Sequence, residues 1–208
     1  MTAGPTGKIA ATIGLVVIGL VLIVTIGIGK PVEDSAFDVP ESREMWMRTE
    51  APECRLQWTT LAGIGRVESK HGSLHGATIG ADGQANPPII GRTLDGSRGL
   101  PEVADTDRGD VDGDPGWDHA VGPMQLLPAT WQRWRIRALR DGGRPDPQHI
   151  DDAALVAARW LCATGGDLSR PPGWWRAVLV DGRSVAAAQE VYSGAQAYAA
   201  ASLPSRSR

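Results

Sequence analysis

From Ile9 to Gly29 the chain carries no charged side chain and is built mostly from Ile, Val, Leu, Gly and Ala. No other feature constrains the fold as strongly. About 20 apolar residues rising 1.5 Å each match the hydrocarbon thickness of a bilayer. A cleaved signal peptide has a shorter apolar region and a small-residue cleavage site. The sequence offers no convincing site of that kind after Lys30. Residues 1–30 are therefore expected to form an uncleaved signal anchor that crosses the membrane once; a buried core helix is the alternative. Lys8 and Lys30 lie on opposite sides of the run, so charge sets the orientation only weakly.

The two cysteines, Cys54 and Cys162, both follow this segment. Neither has metal-ligand spacing, which argues against a zinc site. In an oxidising compartment a disulfide is the natural reading, and two buried free thiols are the alternative. A closed loop of about 108 residues would stabilise the fold by roughly 4–5 kcal/mol through chain entropy, with strain subtracting from that. The net charge of −3 lacks the basic excess of a nucleic-acid binder, so no nucleic-acid partner is expected. Eight Trp against two Tyr and one Phe is unusual. Trp faces stack on sugar rings, but Trp also fills cores.

Residues 31–50 read as an acidic spacer followed by a first short helix from about Glu41 to Thr49. Residues 51–202 then form the main domain, and 203–208 a frayed tail. Trp58, Leu61, Ile64 and Val67 recur at helical spacing between Leu56 and Ser69, and His71-Gly72 ends that helix. Ser73 to Ala120 is rich in Gly, Pro and Asp without periodicity; structureless loops of that length are usually functional. Helices are expected again from Pro128 to about Arg140, from Asp151 to Ala163, after Pro171-Pro172, and after a Ser184 cap. Asp146-Pro147 reads as a helix cap with Pro at the first position. The fold class expected is mainly α with one long irregular insertion.

Glu68 stands near the end of an apolar helix, in Gly65-Arg66-Val67-Glu68-Ser69. The negative end of the helix dipole disfavours a charged carboxylate there, and so does partial burial. A general acid needs that bias toward the protonated form. Arg66 would oppose it only by reaching the carboxylate, and adjacent helical residues point to different faces. A second constellation, Ala120-Val121-Gly122-Pro123-Met124-Gln125, leads into the helix containing Pro128 and Trp131. Gly122 allows close backbone approach, Met124 offers a soft apolar contact, and Gln125 offers both donor and acceptor.

Together, Leu61 to Ser69, Ala120 to Gln125, Pro128 and Trp131 resemble the lytic transglycosylases, in particular the membrane-bound lytic transglycosylase B branch. The resemblance runs from about Cys54 to Tyr198. It implies a lysozyme-like helical domain that cuts the β-1,4 bond from N-acetylmuramic acid to N-acetylglucosamine and leaves a 1,6-anhydro end. It implies Glu68 as general acid and then base, Ser69 orienting Glu68, and Ser69, Gly122, Met124 and Gln125 at the sugar site. No cofactor is required, and the partner is the peptidoglycan glycan strand. A monomer held at the cell membrane, with its domain on the wall side, is expected. The family's Tyr-Asn pair would fall at Asp181-Gly182, and both residues differ here. Tyr192 or Tyr198 could substitute only if the last helix is repositioned.

The stretch Asp105 to Asp114 alternates Asp with Gly as calcium loops do. Asp105, Asp107, Asp110, Asp112 and Asp114 are the candidate calcium ligands. The bidentate Glu of an EF-hand is missing, so a solvated acidic loop is an alternative, and Asp118 or a neighbour supporting hydrolysis from across the cleft is another. His71, His75, His119 and His149 share no metal spacing and are expected to be ordinary polar residues. Two other functional readings stay open: a lysozyme-type hydrolase, and a non-catalytic glycan binder that keeps the fold.

Overall fold

The computed structural model describes residues 51–180 and 184–202. The expected anchor, the expected helix at 41–49, the tail and the Asp181-Gly182 position all lie outside these residues. Among the described residues, no helix is long and apolar enough to cross a membrane.

The described residues form five α-helices and two small antiparallel sheets. Helix α1 spans Trp58–Ser69. Strands β1 (Thr78–Ile79) and β2 (Ala85–Asn86) pair with each other, as do β3 (Ile90–Thr93) and β4 (His119–Val121). Helices α2 (Pro128–Trp134), α3 (Ile150–Gly165), α4 (Pro171–Leu179) and α5 (Val185–Ala201) follow. The domain is therefore helix-rich with a small strand component. The strands were not legible because two to four residues are too few to display alternation.

One core runs between the helices, with Leu61, Ile64, Met124, Leu126, Leu161 and Val191 almost wholly buried. The longest interface is α1 against α5. Glycine makes it close: a Cβ on Gly63 would stand 2.6 Å from the Val191 carbonyl oxygen. The Arg66 side chain lies over Gly194 of α5, so it turns toward that helix. Cys54 and Cys162 form a disulfide that ties the entry to α1 to helix α3.

Two expected helix boundaries differ. Helix α2 stops at Trp134 rather than near Arg140, because Arg135 leaves the helix at φ −50° and ψ 133°. Beyond it, the fully buried Asp152 organises the chain. It accepts hydrogen bonds from the Ala138 amide (2.8 Å), the Arg137 guanidinium (3.0 Å) and the Asp146 amide (2.9 Å). Asp146-Pro147 does not cap α3; His149 takes the cap position. Asp146 instead closes a turn by accepting from the Gln148 amide at 2.8 Å. Ser184 does cap α5, accepting from the Ala187 amide at 3.1 Å.

Candidate functional site

Helix α1 ends where Lys70 enters the left-handed region at φ 51°. His71 and Gly72 follow with φ of 57° and 85°, which turns the chain back sharply. Ser69 sits inside this turn and is 1% exposed. Its hydroxyl accepts from the Gly72 amide at 2.7 Å and donates to the Pro123 carbonyl at 2.6 Å. The Gly65 carbonyl, at 3.3 Å, is the more distant acceptor. One hydroxyl therefore fastens the end of the Glu68 helix to a loop 54 residues away.

That loop is a tight reversal. Val121 and Leu126 exchange both backbone hydrogen bonds at 2.9 Å, enclosing Gly122 to Gln125. Gly122 has φ 72°, and a Cβ there would collide with the Pro147 carbonyl oxygen. Glycine is required on both counts. Met124 is fully buried in the main core. Gln125 is half-buried at φ 47° and folds back on its own loop. Its amide nitrogen donates to Gly122 at 3.0 Å and more weakly to Ala120 at 3.4 Å.

The motif residues thus come together. Glu68 is half-buried. Ser69, Gly122 and Met124 are buried, and Ser69 holds the helix end to the loop. Tyr198 of α5 reaches the same helix end, its hydroxyl 2.7 Å from the His71 ring Nε2. Its ring also packs on Trp58 at 6.1 Å. A separation of 127 residues hid that pair from the sequence.

The acidic loop is a web of carboxylate to backbone bonds. Asp105 accepts from the amides of Asp107, Arg108 and Gly109. Asp112 accepts from the Asp114 and His119 amides, and Asp114 from Gly116 and the His119 ring. Asp110 is exposed and bonds Gln132. Asp118 is fully buried and accepts from both the amide and the hydroxyl of Thr106. It is a strut of the loop.

Among the described residues, Asp105, Asp107 and Asp118 bring carboxylate oxygens within 4.8 Å of one another. Of the five aspartates named from the sequence, Asp105 and Asp107 belong to this cluster, and Asp118 is its third member. Asp107 Oδ1 is buried without a hydrogen-bond partner among the described residues. Burial, and then the charges of Asp112 and Asp105, raise the Asp107 pKa. A hard cation suits such a set, though it asks for six to eight oxygens, and most of those on Asp105 and Asp118 already serve the loop. The four histidines do not gather into a metal site among the described residues.

The chain matches no protein-family model, no curated protein and no solved structure. The geometry of the site is therefore what a functional reading rests on.

Proposed function

We propose that this chain is a peptidoglycan lytic transglycosylase with Glu68 as its acid and base. The observation that carries the reading is the bond from Ser69 Oγ to the Pro123 carbonyl at 2.6 Å. It joins the two sequence segments whose combination resembles the family. A lysozyme-like arrangement of the helices belongs to this reading, as does an anchor at Ile9–Gly29 that holds the domain on the wall side of the membrane.

In the proposed reaction, the Glu68 carboxyl protonates the oxygen that links N-acetylmuramic acid to N-acetylglucosamine. The bond from that oxygen to C1 breaks, and positive charge develops at C1. The muramic-acid C6 hydroxyl then closes on C1 and gives its proton back to Glu68. No water is consumed, so one carboxylate suffices, whereas ordinary glycosidases need two. Tyr198, bonded to His71 at the end of α1, is the aromatic residue we place in support of that helix end.

Digesting purified peptidoglycan and weighing the fragments tests the proposal. Anhydro-muramic ends are expected. Reducing muramic-acid ends alone would favour the hydrolase, and no fragments from an intact, folded protein would favour a glycan binder.

A further inference from the structure

A cavity of about 620 Å³ opens between the N-terminal ends of α1 and α4 and the outer face of α5. Small-ligand sites fall in a range of about 300–1,000 Å³. Thr60 lines this cavity. Glu68 lies two turns further along the same helix, about 12 Å away by helical rise. The cavity is thus separate from the helix end where the Glu68 chemistry is placed.

Three features set its chemistry. First, Trp174, Trp175 and Tyr192 form one aromatic cluster in its wall. Trp174 stands edge-on to Trp175 at 5.0 Å and to Tyr192 at 5.5 Å, and Trp175 lies near-parallel to Tyr192 at 6.3 Å. Tyr192 is 47% exposed. Second, hydroxyls and amides from Thr59, Thr60, Gln57, Ser169 and Gln196 line it together with small and apolar side chains such as Leu168 and Ala199. The Trp174 indole N–H donates to Thr60 Oγ1 at 3.2 Å, which fixes the ring. Third, Arg55 and Arg170 stand at the rim and share one carboxylate, Asp167, at 2.9 and 3.3 Å. Two guanidiniums against one carboxylate leave positive charge to spare.

Aromatic faces accept the C–H faces of sugar rings, amides and hydroxyls suit acetamido and hydroxyl groups, and guanidinium suits a carboxylate. We infer that this cavity is a second glycan-binding site, taking an acetylated amino-sugar chain that bears a carboxylate. The choice of that polymer rests on the proposed reaction. The cavity would hold one part of a strand while Glu68 acts on another strand or a distant part of it.

The test uses the full chain carrying Glu68→Gln, so that ligand is not consumed. The side-chain N–H resonances of Trp174 and Trp175 are followed by NMR and assigned with Trp174→Phe and Trp175→Phe. The probe is a soluble tetrasaccharide of alternating N-acetylglucosamine and N-acetylmuramic acid with free lactyl carboxylates. Both indole signals are expected to shift on titration. Tyr192→Ala, at an exposed position, and the double variant Arg55→Ala/Arg170→Ala are each expected to weaken binding about tenfold, equivalent to about 1.4 kcal/mol. Neutral chitotetraose should bind more weakly than the acidic chain and be indifferent to the arginine changes.

If the indoles stay still while wild type releases wall fragments, the second site is overturned and the Glu68 reading stands. If they shift while wild type releases none, the site stands and the Glu68 reading fails. Silence in both assays removes both. An acidic peptide that shifts the indoles as strongly as the glycan would overturn the assignment to sugar.

Discussion

The end of α1 and the acidic loop solve one problem, a chain reversal without regular structure, by different chemistry. At α1 a single neutral hydroxyl, on Ser69, joins Gly72 and Pro123 beside the apolar core. In the loop, five aspartates from Asp105 to Asp118 fold the backbone by accepting from its amides. The hydroxyl tie should be indifferent to pH and ions. The carboxylate web should respond to both. A carboxylate is therefore scaffolding in one region, and the proposed reagent in the other.

The comparison is broken most directly at Glu68. Glu68→Gln should lower release of wall fragments by about 10²–10⁴-fold, the usual worth of a general acid, while the variant stays folded by circular dichroism. Equal activity in the variant would end the assignment. Breaking the Cys54–Cys162 disulfide with a double serine variant should cost about 2–4 kcal/mol in denaturant unfolding. It should loosen the α1 region without first loosening the acidic loop. Ser69→Ala leaves the buried Pro123 carbonyl and Gly72 amide without their shared partner, at about 1–3 kcal/mol. Because that tie places the Glu68 helix end, activity should fall further than stability alone requires; an active, equally stable variant would remove the tie from the reading.

The loop side is sharpened by ions and pH. Calcium should raise the thermal midpoint of wild type, through Asp105, Asp107 and Asp118, and not that of Asp107→Asn. Identical responses would leave the loop as solvated scaffolding. The smallest expected effect concerns His119. Its ring nitrogens lie 2.9 Å from the Gly91 carbonyl and 3.1 Å from the Asp114 carboxylate. Burial works against its charge, but the Gly91 carbonyl and the Asp114 and Asp112 carboxylates prevail and raise its pKa above 6.5. A raised value in the folded state means the protonated ring stabilises the fold. That contribution is complete below about pH 6.5 and is lost as pH climbs through the raised value. Hydrogen exchange at Asp112 to His119, corrected for intrinsic rate, should accelerate from pH 6 to pH 9 in wild type and stay flat in His119→Gln.

Much of the helical framework was legible. Trp58 to Val67 repeats at helical spacing, and the helix it predicts ends within two residues of the expected place. Ser184 announced its cap. The misplaced boundaries at Arg135 and Pro147 share one cause. Asp152, fully buried, recruits Ala138, Arg137 and Asp146 across up to 15 positions, and this outcompetes local helix preference. The spacing of the acidic loop left a calcium loop and a solvated acidic loop as alternatives. The structure spends Asp110, Asp112 and Asp114 on other bonds and brings in Asp118.

By itself, the sequence determined where most of the helices lie, which glycines must turn, and which two segments were worth joining around Glu68. These are local properties, written in periodicity and residue type. Only the tertiary structure decided that Ser69, Gly122 and Met124 lie beneath the surface, that Tyr198 meets His71, and that an aromatic cavity opens at the other end of α1. Those facts depend on which side chains meet across 54 to 127 residues. Such meetings follow from the packing of the helices and not from any segment read alone.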